Sequence, residues 1–244
     1  MADIDKFTAK YDIAELKILM TTYYDRVRNL AEEYLAKTDW DEPDHELDLG
    51  VEYYENQIND GLEDVTPENM EYVATGALFN RFLIVHDGLM LHSSAVVVDG
   101  YAYLFSADSG TGKSTHTNLW LEKFGDKAFI INDDKPAIRK IDGEWYVFGT
   151  PWCGKNNTNK NAKAKLGAIV FLERSEENWI ENESIQDAIK KFFRQTTRKL
   201  NKEQNMDKVL STMEKVLSEV PIYKMGCNIS EEAAKMAYEK IRRV

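Results

Sequence analysis

The chain has 244 residues, with 31 basic against 42 acidic side chains, a net charge of −11, 43% apolar residues and 30% charged ones. That composition excludes wholesale disorder, and the acidic balance argues against nucleic acid as a partner, because phosphate backbones need clustered cations. No apolar run approaches the ~20 residues that cross a bilayer, and MADIDKFTAK lacks the basic and apolar regions of a secretion signal. The expectation is a cytoplasmic protein with no membrane partner. Cys153 and Cys227 stand far apart without metal-ligand spacing and are expected to be reduced thiols. The charge is uneven: residues 1–90 hold 7 basic and 21 acidic side chains, whereas 91–244 are nearly balanced.

In chain order, Tyr24, Val27, Leu30, Ala31, Tyr34 and Leu35 predict an amphipathic helix over 23–37. The acidic stretch 39–50 with its proline reads as a solvated loop, or alternatively as a docking surface for a basic partner. Thr66-Pro67 opens the next helix, whose core face is read as Met70, Val73, Ala74, Ala77, Leu78, Phe82 and Val85. From residue 88 the pattern turns strand-like. Asp99-Gly100 and Asp142-Gly143 are type I′ hairpin signals, and AFIIN (128–132) and LGAIVFL (166–172) are buried strands.

Three helices follow. Their core stripes are Ile185, Ala188, Ile189, Phe192 and Phe193, then Met206, Val209, Leu210, Met213, Val216 and Leu217, then a helix capped by Ser230. The expected class is α/β, with an acidic section at 1–87 packed on or beside a nucleotide-binding domain at 88–244.

Tyr103–Ser106 is an apolar strand running into Ala107-Asp108-Ser109-Gly110-Thr111-Gly112-Lys113-Ser114-Thr115, a small-residue loop that opens a helix near Lys113. Such a loop turns backbone N–H groups and the positive end of a helix toward a polyphosphate. Asp108, Ser109, Gly110, Thr111, Gly112, Lys113, Ser114 and Thr115 are therefore the expected nucleotide-binding residues. Lys113 reaches the β- and γ-phosphates and Ser114 ligates Mg²⁺. Ala107 stands where the usual pattern has glycine. The buried run Phe129–Ile131 ends in Asn132-Asp133-Asp134, placing two carboxylates at the C-terminal edge of a strand, one to help hold Mg²⁺ and one to accept a hydroxyl proton. A guanine-specifying Asn-Lys-x-Asp is absent, since Asn159-Lys160 and Asn201-Lys202 lack the aspartate. Thr150–Lys155 reads as a shaped loop in which Lys155 binds phosphoryl or an anionic acceptor, and Lys160, Lys163 and Lys165 as a mobile cationic lid. His116 is expected to pack rather than bind, and Cys153 has no base to activate it.

Leu91-His92, the hairpin, the Asp108–Ser114 loop and Asp133-Asp134, in that order, resemble the catalytic domain of HPr kinase/phosphorylase. The resemblance spans roughly 88–175. It implies the α/β P-loop fold shared with ATP-dependent phosphoenolpyruvate carboxykinase, with a small N-terminal α+β section and C-terminal helices. It also implies Asp133 as catalytic base, His92 beside it, Lys113 on the transferred phosphoryl, and Ser114 with Asp134 on the metal. The implied cofactors are ATP and Mg²⁺. The expected function is phosphoryl transfer to a hydroxyl, either a serine on a protein or peptide or a small hydroxylated molecule. The alternative is a nucleotide-binding regulatory module without transfer. The expected partners are the nucleotide and this unknown hydroxyl acceptor; a homo-oligomer is left open.

Overall fold

The computed structural model describes residues 6–59, 66–196 and 206–243; Asn201-Lys202 lies outside them. The chain opens with a hairpin of β1 (Phe7–Ile13) and β2 (Leu16–Thr22), turned by Ala14 and Glu15 at φ 52° and 59°. Both turn residues are left-handed without a glycine or asparagine to announce them, so the hairpin escapes a reading based on turn chemistry. The helix expected over 23–37 is broken into α1 (Asp25–Leu30) and a 3-10 turn at Glu32–Tyr34. Within the acidic stretch, β3 (His45–Leu47) pairs in parallel with β2 and completes a three-stranded sheet. A short helix, α2 (Val51–Asn59), follows.

Thr66 caps α3 (Pro67–Val85) by accepting from the Asn69 N–H, with Pro67 in the first turn as expected. The core face differs from expectation. Glu71, Ala74, Thr75, Phe79, Asn80, Leu83 and Ile84 are buried, while Val85 is exposed and Val73 and Ala77 only half-buried. This helix is apolar around most of its circumference, so periodicity alone does not choose its buried side. One flank packs on the small sheet through Phe79 and Leu83. The same apolar cluster continues into Met90, Ala137, Phe148 and Trp152, so the N-terminal section and the main sheet share a core.

Among the described residues, nine strands form the main sheet. They are β4 (Gly88–Met90), β5 (Ser93–Val98), β6 (Tyr101–Ser106), β7 (Ala128–Asn132), β8 (Ala137–Ile141), β9 (Glu144–Phe148), β10 (Lys163–Arg174), β11 (Trp179–Asn182) and β12 (Ile222–Cys227). Their order is β4-β8-β9-β10-β6-β5-β7, with β12 joined to the far half of β10 and β11 to β12. Strand β10 branches the sheet: residues 163–165 pair with β9, while residues 169–174 pair in parallel with β12. Asp99-Gly100 and Asp142-Gly143 turn the β5–β6 and β8–β9 hairpins as the sequence predicts.

Helices cover both faces of the central strands, which is why those strands are apolar on alternate and intervening residues alike. Ala95, Val97, Leu104, Ile169 and Phe171 face α5 (Ile185–Thr196) and α6 (Met206–Glu219). Val96, Val98, Tyr103, Phe105 and Val170 face α4 (Lys113–Phe124) and α7 (Glu231–Ile241). Ser230 caps α7 through the Ala233 N–H. Of the stripes expected as core, Ala188, Phe192, Val209, Met213, Val216 and Leu217 are buried, but Ile185, Ile189, Phe193, Met206 and Leu210 are exposed. The α5–α6 pair docks by a narrower seam than its apolar pattern suggests. Among the described residues, no helix is long and apolar enough to cross a membrane.

Glu71 is fully buried, accepting hydrogen bonds from the Tyr23 N–H (2.7 Å) and Tyr24 N–H (3.3 Å). Burial pushes its carboxyl up to about 7, against those two N–H groups and the nearby Arg28 charge, which pull it down. A folded carboxyl that binds its proton more tightly than the unfolded one contributes a stability that is full below the ordinary 4.5 and lost as pH rises toward 7. Urea midpoints at pH 5 and pH 8 should therefore show wild-type stability falling relative to Glu71→Gln across this interval. A constant difference between the two proteins would contradict the burial assigned to this carboxyl.

Candidate active site

Strand direction assembles the site. β6 and β10 run parallel, while β5 runs antiparallel to both β6 and β7. The start of β5 therefore lies at the same end of the sheet as the ends of β6, β7 and β10. Four segments meet there: Leu91-His92, the 107–112 loop, the Asn132–Lys135 turn and Arg174.

β6 ends at Ser106 and α4 begins at Lys113, with the loop of residues 107–112 between them. Thr111 N–H donates to the Asp108 carbonyl at 3.2 Å, and Gly112 precedes α4 at φ 120°, a conformation open to glycine and strained for other residues. Lys113 is buried at the base of the loop, donating to the carbonyls of Ala107 (3.2 Å) and Asp108 (3.5 Å). Ser114 is half-buried and Thr115 exposed. Ala107, in place of glycine, is buried in the apolar cluster under α4 and leaves the turn intact.

Asn132 sets the acidic turn. Its Oδ1 accepts from the N–H groups of Asp134 (2.9 Å) and Lys135 (2.7 Å), and its Nδ2 donates to the Thr150 carbonyl at 2.9 Å. This turns the two aspartates apart. Asp134 swings toward β5, where its carbonyl accepts from the Ser93 N–H and its Oδ1 lies 3.1 Å from His92 Nε2. Asp133 points the other way, with Oδ2 accepting from the Asn156 side chain at 3.1 Å and Oδ1 buried without a partner among the described residues. The expected pairing of His92 with Asp133 is thus corrected: the imidazole meets Asp134. Burial raises the Asp134 carboxyl, but the His92 hydrogen bond and the charges of Lys135, His92 and Lys113 together hold it below the usual carboxylate range.

Gln195 at the end of α5 links this pair to the loop. Its Nε2 donates to Asp108 Oδ1 at 3.1 Å, so its Oε1, 2.9 Å from His92 Nδ1, is the acceptor and Nδ1 the donor. His92 Nε2 lies 3.1 Å from Asp134 Oδ1, so the ring bridges Gln195 and the Asp134 carboxylate. Arg194 pairs with Asp108 Oδ2, and Arg174 donates to the carbonyls of Gly110 and Thr111 on the loop's outer side.

Sequence reasoning missed Arg174, Arg194 and Gln195. Gln195 did leave a signal: it falls in line with Ala188 and Phe192 on the buried seam of α5, a polar residue where the helix otherwise buries carbon. Arg174 could have been found from the parallel pairing of β10 with β6, which carries the strand end past the loop. Arg194 left none.

The 150–160 loop also departs from expectation. Gly154 sits at φ 80° with its N–H on Tyr72 Oη (2.9 Å), and a Cβ there would lie 3.0 Å from Asp134 Cβ. Lys155 follows and is exposed. Lys163 and Lys165 do not form a lid: they belong to β10 and pair with Glu15 and Glu144, while Lys160 lies over the Phe129 ring at 4.6 Å. His116 packs on Phe105, accepts from Trp120 Nε1 at 3.3 Å, and is pushed down to about 4 by burial, so it is neutral.

Two cavities flank the loop and the pair. One of about 250 Å³ runs between α3 and Trp152 to His92 and Asp134. The other, about 490 Å³, lies on the outer side of the loop against Thr115, His116, Leu119, Arg174 and Ile229. Among the described residues no cluster of three or more histidine, cysteine or acidic side chains is placed to hold a metal by itself.

No protein-family model matches the chain, and no curated protein matches it. Among solved structures, the Hpr(Ser) kinase/phosphatase from Coxiella burnetii is similar over 62% of this chain and 86% of its own, at 10% identity and a TM-score of 0.36.

Cys153 is fully buried behind Trp152, and burial, reinforced by the Asp134 charge, pushes its thiol up to about 12. Iodoacetamide at pH 8 should leave it unmodified in the folded protein and alkylate it in urea, as read by peptide mass spectrometry. Rapid native labelling at Cys153 would mean that this wall of the site opens.

Proposed function

We propose that the protein is an ATP·Mg²⁺-dependent phosphotransferase acting on a hydroxyl group. The observation that carries the reading is the continuous hydrogen-bonded chain Asp108–Gln195–His92–Asp134, which ties a phosphate-type loop with a buried lysine to an ionised carboxylate at the mouth of a cavity. The triphosphate would lie on the amides of residues 109–115, with Lys113 beneath it and the nucleoside in the outer cleft.

Mg²⁺ suits the donors present, since it takes one or two protein oxygens besides phosphate and water. The Ser114 hydroxyl and the Asp133 carboxylate, whose Oδ1 is buried without a partner, would hold it. When bound it neutralises charge on the phosphoryl oxygens. Asp134, facing the cavity with His92 behind it, is assigned as proton acceptor, so the two aspartates exchange the roles that resemblance implied. The acceptor oxygen bonds to the γ-phosphorus as the bond to the bridging oxygen breaks. ADP leaves with that electron pair, and the hydroxyl proton passes to Asp134. Lys113 stabilises the spread charge, and the exposed Lys155 is assigned to the transferred phosphoryl.

Calorimetry should show ATP·Mg²⁺ binding to the wild type and at least a tenfold loss in Lys113→Ala with an unchanged melting curve. Unaltered affinity would remove the phosphate loop from the reading. Asp134→Asn should lower phosphoryl transfer, measured as slow hydrolysis of ATP, by about 10²-fold while keeping ATP affinity. Asp133→Asn should instead raise the Mg²⁺ concentration required. The opposite pattern would restore Asp133 as the base.

A further inference from the structure

The 250 Å³ cavity has one polar end and apolar walls. At the polar end stand His92, Asp134, Lys135 and Gln195; the walls are Val73, Gly76 and Ala77 of α3, with Met90 and Trp152. The wall is rigid. Trp152 stacks on Phe79 with ring centroids 4.9 Å apart and donates from Nε1 to Thr75 Oγ1 at 3.1 Å, and a Cβ on Gly76 would come within 2.8 Å of its ring. The face of α3 that periodicity marks as core, Val73 and Ala77, is therefore the lining of this space.

Two buried polar groups in the lining have bonding capacity to spare. Asn80, 6% exposed, spends its Oδ1 on the Met90 N–H at 2.7 Å, and its amide NH₂ has no partner among the described residues. Thr196 Oγ1 is buried and without a partner among them. The unspent N–H groups of Asn80, a lining residue, are available to an occupant of the cavity. At the polar end Lys135 Nζ lies 3.7 Å from Asp134 Oδ2 and His92 Nε2 3.1 Å from its Oδ1, so the lysine and aspartate charges oppose each other, and the rest of the lining carries no acidic or basic side chain. At about 30 Å³ per water, the space equals roughly eight waters, which admits a residue-sized molecule and not a folded surface.

We infer that this cavity is the acceptor pocket and that the acceptor is a small, uncharged, largely aliphatic alcohol. The inference rests on the phosphotransferase reading and narrows its substrate. The hydroxyl meets Asp134, the carbon chain lies against Val73, Ala77, Met90 and Trp152, and a carbonyl or ether oxygen accepts from Asn80. Specificity is then set by α3, within the N-terminal section, rather than by the phosphate loop.

The test uses 1-pentanol and glycerol as probes on the full chain. Titration followed by NMR should shift the Met90 methyl and the Trp152 indole N–H signals with 1-pentanol, and glycerol should need at least tenfold more to do so. With ATP and Mg²⁺, pentyl phosphate should form in preference to glycerol phosphate. Ala77→Leu, which fills the space, should abolish both the shifts and the preference. Absence of shifts with 1-pentanol, or equal response to glycerol, overturns the inference; where Ala77→Leu fails to fold, the wild-type titrations decide. ATP calorimetry on the same wild-type sample separates the two readings: pentanol shifts without ATP binding support the alcohol pocket and remove the kinase, whereas ATP binding without pentanol shifts does the reverse.

Discussion

The buried side-chain amide of Asn132 holds two segments to the end of β7 at once. It closes the turn after β7 through two backbone N–H groups and pins the Thr150 carbonyl through its NH₂. Because both ends of the amide are spent inside a fully buried position, replacing it would leave several backbone groups unsatisfied. Everything distinctive about the site follows from that turn. Asp134 faces β5 and the cavity, Asp133 faces the other way, and the loop that carries Trp152 and Gly154 is drawn against α3.

Around this point the sheet supplies the frame. A strand antiparallel to its neighbours begins where they end, so a histidine before β5 and a loop after β6 become neighbours without any long connection. The end of α5 then closes the site from the side. Arg194 and Gln195 both bind Asp108, which makes the position of that helix and the shape of the 107–112 loop interdependent. Ion pairs exposed at this level contribute little stability; the buried hydrogen bond from Gln195 to His92 is the stronger constraint.

The N-terminal section takes part in the site instead of standing apart from it. Its small sheet packs on α3, α3 packs on Trp152, and the half-buried flank of the same helix lines the cavity beside Asp134. One helix thus serves two surfaces, which explains why it is apolar around most of its girth and why the core face read from its periodicity is not the one it buries.

The features legible in the residues alone are those written in local chemistry. The two Asp-Gly hairpins, the Thr66-Pro67 and Ser230 caps, the buried strands and the strand–loop–helix at residues 103–115 each depend on residues within a few positions of one another. The Ala14-Glu15 turn lacked such a signature and was invisible. Which aspartate meets His92, which side of α3 is buried, and the reach of Gln195 to a loop 87 positions earlier come from the packing of distant elements. These outcomes are fixed by strand order and by the one buried amide that turns the chain at Asn132. Pairing across such distances depends on how elements stack and not on the residues flanking them, so nothing in the local pattern records it.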